Sequence, residues 1–263
     1  MAHLVLLQPD LRVEARFADA LVGAHALTLS RTWADLHGAA GRPDVHGCVL
    51  DVDFPSREEA FFEIRSLRTK HPDLALVAYA DVRESDPALV LLGSLGIDGV
   101  VLARRAPWAS GIRRAVEGAL AAAGARSVER ALLGRCPTAA ADALAWAVEH
   151  AVEGPPVARL AAALGHSQRS LAALLRAAGL PTPVRLLLWG RLLHAGALLS
   201  RDACTVEGAA LRLGYGAASS FGRAMKRETG CTPREVAKKG GMAFVQARLF
   251  RARRLPGAAR SPS

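Results

Sequence analysis

Along residues 3–123, short apolar runs alternate with stretches in which apolar residues recur at helical spacing. The runs are four to eight residues long and rich in Val, Leu and Ala, as in strands that are buried on both faces. The five runs are His3–Gln8, Ala26–Ser30, Val45–Val52, Leu74–Tyr79 and Gly99–Leu102. Strands that alternate with helices favour a parallel sheet covered by helices on both faces. The pattern therefore predicts a five-stranded α/β domain over residues 1–123.

The same pattern identifies the residues at the carboxyl ends of the strands, where sheets of this kind bind their ligands. The segments expected at this edge are Gln8–Asp10, Asp51–Asp53, Ala80–Asp81 and Ala103–Arg104. They are the candidates for any chemistry in the first domain.

Residues 124–154 separate this domain from the last third of the chain. Their stretch Ala139–Val152 is Ala-rich and helix-prone, which favours a linker helix; a contact between two copies of the chain is the alternative. We expect a second, all-helical domain over residues 155–240. Residues 241–263 are rich in Arg and small residues, and they predict a basic tail that is disordered toward its end.

The last third repeats one apolar pattern, first within Val157–Pro183 and again within Thr205–Pro233. Each copy predicts a short helix, a glycine turn, a second helix, another glycine and then Thr-Pro. In the first copy Gly165 ends the first helix and Ser167 caps the second. In the second copy Gly214 lies in the turn. Two helix-turn-helix units in tandem suit a protein that enters two neighbouring major grooves of DNA.

The outward side chains of each second helix are the candidates for DNA contact. Arg169 and Arg223 are the base-contacting candidates, because arginine can make a bidentate bond to guanine; a phosphate contact is the equal alternative for Arg169. Arg176, Lys226 and Arg227 suit phosphates, and the serines of the second copy either bond DNA or simply begin the helix. The predicted DNA-binding residues are Ser167, Gln168, Arg169, Arg176, Ala218, Ser219, Ser220, Arg223, Lys226 and Arg227.

Charge divides the chain in the same way. Residues 154–263 contain 18 Lys/Arg and 4 Asp/Glu, a net charge of +14, whereas residues 1–153 carry −4. A basic back half is expected when only that half meets a polyanion; an Arg-rich composition throughout is the alternative. The four cysteines are scattered without the spacing of a metal site, and no apolar stretch reaches the roughly 18 residues of a membrane span. We expect reduced thiols, no metal, no cofactor, no membrane span and, because no nucleophile pattern or phosphate-binding glycine loop stands out, no enzyme.

Residues of the two copies and of the stretch between them form a combined pattern. They are Ser167, Arg169 and Leu171; Gly179, Thr182 and Pro183; Arg191, Leu192, Ala195, Leu198 and Leu199; Val206 and Ala210; Gly214 and Tyr215; Ser219, Ser220 and Phe221; Arg223 and Lys226; and Gly230, Thr232 and Pro233. Together they resemble the AraC/XylS family of bacterial transcription regulators. The resemblance implies a DNA-binding domain in which a long helix joins two helix-turn-helix units.

Three residues depart from the pattern of that family. Ala173 and Leu175 stand on the first recognition helix, where the family often has a polar or basic residue and an aromatic one. Ala217 stands at the cap of the second recognition helix in place of Asp or Ser, a change that should cost about 1 kcal/mol. We therefore expect the first helix-turn-helix unit to contribute more to affinity than to sequence choice.

The segment Asp51-Val52-Asp53-Phe54-Pro55 is similar to the strand end that carries the phosphoacceptor of response-regulator receiver domains. The resemblance implies a flavodoxin-like fold for residues 1–123, with Asp51 at the acceptor position. Gln8-Pro9 replace the acidic pair that would hold Mg²⁺, Ala80 replaces the hydroxyl residue and Ala103 replaces the lysine. Phosphoryl transfer depends on such metal and cationic groups, so we expect a degenerate receiver without efficient phosphorylation. The alternative is an active Asp51, with the neighbouring Arg104 in place of the lysine and a weak metal on Asp53 and Asp10.

These observations predict a cytoplasmic bacterial transcription regulator that binds double-stranded DNA in a sequence-specific manner. Its first domain would serve regulation or homodimerisation, and RNA polymerase is a further candidate partner. Two alternatives stay open. One is a response regulator switched by phosphorylation at Asp51. The other is a protein-interaction module whose basic back half has only nonspecific affinity for nucleic acid.

Overall fold

The computed structural model describes residues 2–83, 85–104, 108–199 and 204–251. It divides the chain into two compact units, Met1–Ala123 and Gly124–Ser263.

The first unit is a parallel sheet of five strands with the order β2-β1-β3-β4-β5. Its elements in chain order are β1 (Ala2–Leu7), α1 (Leu11–Leu21), β2 (His25–Ser30), α2 (Trp33–Ala40), β3 (Val45–Asp51), α3 (Arg57–Lys70), β4 (Ala75–Ala80), α4 (Ala88–Ser94), β5 (Gly99–Leu102) and the first part of α5 (Trp108–Leu132), whose residues from Gly124 onward belong to the second unit. This strand order is the flavodoxin-like one, whose switch point lies between β1 and β3. The predicted fold of residues 1–123 is thereby confirmed.

The central strands β1, β3 and β4 are buried on both faces, which explains why they contain continuous apolar runs rather than alternating ones. Val5 and Leu50 point to the face that packs against α2 and α3, where Leu36 and Ile64 are fully buried. Leu6 points to the opposite face, against α1 and the first half of α5. The carboxyl ends of β1 and β3 are therefore adjacent, and the residues that follow them share one edge.

The second unit is entirely helical in the part of the chain that the structure describes. After the end of α5 it contains α6 (Thr138–Glu149), α7 (Val157–Ala163), α8 (Gln168–Ala177), α9 (Pro183–Leu199), α10 (Val206–Arg212), α11 (Ala218–Thr229), α12 (Pro233–Lys238) and α13 (Gly241–Arg251). Helix α9 runs through its core, and Leu186, Trp189 and Leu193 on it are all at most 2 % exposed.

Two sequence predictions need correction here. The stretch predicted as a linker forms α6, which packs on α9 as part of the core of the second unit. A side chain added at Gly190 of α9 would overlap the carbonyl group of Ala147 on α6, so the two backbones touch directly. The alanines that suggested a linker are the small residues that permit this close approach.

The second correction concerns the predicted basic tail. Its first part is the helix α13, whose Val245, Leu249 and Phe250 are buried against the core. A Cβ added at Gly196 of α9 would lie 2.8 Å from the backbone of Met242, so α13 also packs closely on α9. Residues 252–263, where disorder was predicted, lie outside the described residues.

Candidate nucleic-acid interface

The first helix-turn-helix unit consists of α7 and α8, joined through Gly165. This glycine has φ +68°, in the left-handed region, and it ends the helix. Glycine adopts this conformation at little cost in free energy because it has no Cβ. Ser167 has extended backbone angles, and its hydroxyl accepts a hydrogen bond from the Ser170 amide at 3.1 Å. The predicted cap of α8 is present. Leu171 and Leu175 are fully buried, so one face of α8 is fixed in the core.

The opposite face of α8 carries the residues predicted to contact DNA. Ser167, Gln168, Arg169 and Arg176 are all exposed. Arg169 and Arg176 are seven residues apart, which places them on one side of the helix, two turns from each other. Two cations are thereby aligned along the solvent face of α8.

The second helix-turn-helix unit consists of α10 and α11, with Gly214 in the turn at φ +70°. Ala217 holds the N-cap position in an extended conformation, and no side chain caps the first turn of α11. The missing cap that the sequence indicated is confirmed. The buried face of α11 contains Phe221 and Met225, and the ring of Phe221 lies 5.3 Å from that of Tyr215 in the turn.

The solvent face of α11 is polar and basic. Ser219, Arg223, Lys226 and Arg227 are exposed, whereas Ala218 and Ser220 are half-buried. Ser219, Arg223 and Lys226 follow one another at i, i+4 and i+7, so they line one side of the helix. Nη2 of Arg223 donates to Oγ of Ser220 at 3.1 Å, which orients the guanidinium along the helix before any ligand is bound.

Arg227 has an acidic neighbour that sequence reasoning missed. Its Nε lies 3.4 Å from Oε1 of Glu228, and the Glu228 side chain is only 3 % exposed. The other oxygen, Oε2, accepts hydrogen bonds from Trp189 Nε1 at 3.0 Å and from Arg185 Nε and Nη2 at 3.0 and 2.9 Å. Burial raises the pKa of Glu228, but the donors from Trp189 and Arg185 outweigh burial and leave the pKa below its ordinary value. The sequence feature that could have drawn attention to Glu228 is its negative charge within a strongly basic stretch.

In the first unit, Asp51 ends β3 and is 9 % exposed. Its Oδ1 accepts a hydrogen bond from the Asp53 amide at 3.0 Å. Burial raises the pKa of Asp51, and the neighbouring charges of Asp53 and Asp10 act in the same direction, whereas the hydrogen bond from the Asp53 amide and the nearby polar side chain of Gln8 lower it. The backbones of Ala80 and Ala103 are joined by a hydrogen bond of 2.9 Å, so both alanines lie at this edge of the sheet.

The other charged groups at this edge are engaged with partners of their own. Asp10 caps α1 by accepting from the Arg12 amide at 2.7 Å. Asp53 is paired with Arg57 at 2.6 Å, and Arg104 is paired with Asp81 at 2.7 Å. The guanidinium of Arg104 is thus engaged with the Asp81 carboxylate, in a pair whose two side chains are exposed. Within the described ranges, no group of three or more His, Cys, Asp or Glu residues could hold a metal ion.

Membrane insertion has no candidate element in the part of the chain described: none of its helices combines the length and the apolar character that a span requires.

Comparison with known proteins matches residues 160–239 to a family described as a helix-turn-helix domain, the AraC-type one. No curated protein sequence matches the chain.

Among solved structures, RcsB from Salmonella enterica serovar Typhimurium, bound to promoter rprA, is 16 % identical with a TM-score of 0.37, covering 70 % of this chain and 97 % of that one. CdpR, a transcriptional regulator from Pseudomonas aeruginosa, is 19 % identical with a TM-score of 0.35, covering 68 % of this chain and 63 % of that one. Full-length FixJ from B. japonicum is 14 % identical with a TM-score of 0.34, covering 92 % and 98 %. On the strength of the domain at residues 160–239, the chain is a DNA-binding transcription regulator with an AraC-type helix-turn-helix domain in its second unit.

Proposed function

We propose that the chain is a sequence-specific regulator that places α8 and α11 in two neighbouring major grooves of one duplex. One observation carries the proposal. Arg169 and Arg223, selected from the sequence as base-contacting candidates, are both exposed on helices whose opposite faces are buried in the same core. A single core that holds both recognition helices can present them to the same duplex.

The solvent faces of these helices divide into two proposed roles. Arg169 and Arg223 would read guanine in the major groove, and the serines at the start of α11 would bond base edges or phosphates nearby. Arg176, Lys226 and Arg227 would neutralise phosphates. Ser167, Gln168 and Ala218 line the starts of the two helices, where the chain would come closest to DNA. Phosphate neutralisation makes the affinity fall steeply as salt is raised.

The test of this function is selection of duplexes from a random library, followed by footprinting of the best sequence. We expect a site with two contacted segments about one helical turn, roughly 10 base pairs, apart on the same side of the duplex. Equal binding to every duplex would instead favour the interaction module with nonspecific affinity for nucleic acid.

For the first unit we propose a regulatory or dimerising role in the cytoplasm of a bacterium, without efficient phosphorylation. The proposal is supported by the groups around Asp51. Ala80 and Ala103 supply neither a metal ligand nor a cation, Gln8 offers a neutral amide in place of a carboxylate, and Arg104 is already paired with Asp81. Phosphoryl transfer would therefore lack the positive charge that stabilises its transition state.

The rival for the first unit is a phosphorylation switch at Asp51. Incubation with a small phosphodonor and Mg²⁺, followed by intact mass measurement, separates the two. We expect no phosphorylated species. A Mg²⁺-dependent adduct that is absent from Asp51→Asn would establish the switch instead. Size-exclusion chromatography with light scattering on the same samples would test the dimer.

A further inference from the structure

We propose that Glu228 is a positioning residue for sequence recognition, which fixes α11 on α9 through Trp189 and Arg185. Removal of its carboxylate should then cost discrimination between DNA sequences rather than affinity for DNA in general. The inference rests on the proposed function, because it concerns how α11 meets the duplex.

The geometry of this contact is directional. Three N–H groups from α9 converge on Oε2 of Glu228, at 2.9 to 3.0 Å, and the indole that supplies one of them is 2 % exposed. Apart from a hydrogen bond that Arg248 of α13 donates to the Thr229 carbonyl at 2.8 Å, the contacts of α11 with the core are made mainly by apolar side chains such as Phe221 and Met225. Apolar burial is non-directional and tolerates small displacements along the helix axis. Charge-assisted hydrogen bonds tolerate them far less.

The contact lies close enough to the proposed base-reading residue to control it. Glu228 follows Arg223 by five residues, about 7.5 Å along a helix that rises about 1.5 Å per residue. Neighbouring base pairs are about 3.4 Å apart, and a recognition group loses its function when it is about 1 Å out of place. A small shift of the C-terminal half of α11 would therefore move Arg223 out of hydrogen-bonding position.

If electrostatics alone decided the affinity, the chain would bind DNA more tightly without the negative charge of Glu228. Residues 154–263 carry a net charge of +14, and Glu228 lies beside the exposed Arg227, which is proposed to meet phosphate. A negative charge in that place attracts Arg227 and repels the DNA backbone. A favourable contribution of Glu228 must then come from its contacts with α9. Loss of these contacts should weaken binding to the selected duplex, whereas loss of the negative charge should strengthen binding to any duplex.

The test compares Glu228→Ala with Glu207→Gln, which removes the exposed acid of α10 in the same helix-turn-helix unit. Binding of the full chain is measured by fluorescence anisotropy on the selected duplex and on a scrambled one, at several salt concentrations. For Glu228→Ala we expect binding to the selected duplex to weaken about tenfold, the scale of one impaired base contact, while the scrambled duplex binds as well as before or better. For Glu207→Gln both affinities should rise together and their ratio should stay constant.

Two further variants guard against loss of folding. Glu228→Gln keeps an oxygen acceptor for Trp189, and Trp189→Phe keeps a buried ring but removes the indole donor. Each should lower the ratio of the two affinities by a smaller factor than Glu228→Ala, with a far-UV circular dichroism spectrum equal to that of the parent chain.

The outcomes are distinguishable. If the parent chain binds the selected and the scrambled duplex equally, the proposed function is refuted, and so is the positioning role of Glu228 that rests on it. If the parent chain discriminates and all three variants keep its ratio, the function stands and the positioning role of Glu228 is refuted. Equal losses on both duplexes would also refute it, because they would indicate general destabilisation.

Discussion

Helix α8 begins at a serine that caps its first turn, whereas α11 begins at an alanine that does not, although both helices present arginine to solvent. At the other end, α11 is tied to α9 through Glu228, and its final residue is followed by Gly230 in a left-handed conformation. The start of α8 is thus specified by local sequence, and the position of α11 depends on a tertiary contact. Two helices with the same proposed task reach it by different physical means.

The largest effect should come from the core beneath α11. Phe221→Ala removes a fully buried ring that packs against Tyr215, and we expect the free energy of unfolding to fall by about 3–5 kcal/mol. Urea denaturation followed by circular dichroism measures the loss. The matched change under α8 is Leu175→Ala, with an expected loss of about 2–5 kcal/mol. A loss below about 1 kcal/mol for Phe221→Ala would mean that the ring is not part of the core.

Next in size is the change at the proposed base contacts. Arg223→Ala should weaken binding to the selected duplex by about 1–3 kcal/mol and relax the preference at one base pair. Anisotropy titrations against single-base variants of the site measure both. Arg169→Ala provides the comparison, and it should weaken binding with less change of preference if α8 contributes mainly affinity. Unchanged affinity and preference in Arg223→Ala would contradict the proposed docking.

Reciprocal changes at the two caps test the comparison most directly. Ser167→Ala should lower the free energy of unfolding by about 1 kcal/mol, since it leaves the Ser170 amide without its partner. Ala217→Ser should raise it by a similar amount, about 1 kcal/mol, by supplying the acceptor that α11 lacks. Thermal and urea unfolding of both variants check the pair. The same sign for both changes would show that the caps do not set the difference between the helices.

A smaller and uniform effect is expected at a phosphate contact. Lys226→Ala should weaken binding to every duplex by a similar factor, and the slope of log K against log salt should decrease by about 1. Titrations at four salt concentrations on two unrelated duplexes measure the slope. A loss confined to one sequence would reassign Lys226 to base recognition.

The smallest expected effect is the pH dependence of stability that comes from Glu228. The pKa of Glu228 is lower in the folded chain than its ordinary value, so its contribution to stability is complete above about pH 4.3 and is lost as the pH falls through the folded-state pKa. The serine cap of α8 does not titrate in this range. We therefore expect the stability difference between the parent chain and Glu228→Gln to shrink as the pH is lowered from 5. A difference that stays constant with pH would mean that Glu228 is not ionised in the folded state.

The sequence predicted the parts of the fold that local pattern specifies. Strands buried on both faces leave continuous apolar runs, and glycine turns and caps mark the ends of α7, α8 and α11. The outward arginines followed from helical spacing, and Arg169 and Arg223 are indeed exposed. The predicted absence of a cap at Ala217 is also confirmed.

The missed features all depend on contacts between distant residues. Helix α6 looked like a linker because its alanines fit any helix, and only the presence of Gly190 opposite them reveals a packing surface. In α13 the basic residues drew attention away from the apolar spacing of Val245, Leu249 and Phe250. Glu228 gains its role from Trp189, which is 39 residues away in the chain. No local window contains both partners of such a contact.

The glycines of α9 have a consequence for the promoters that such a protein can serve. Gly190 and Gly196 bring α6 and α13 into backbone contact with α9, the helix that lies between the two helix-turn-helix units in the chain. Packing at both positions opposes bending of α9. If α8 and α11 enter neighbouring major grooves as proposed, the distance between their two contacted segments is set by this packing. We then expect that insertion or deletion of a single base pair between these segments weakens binding strongly, so that mutations in target sites preserve this spacing.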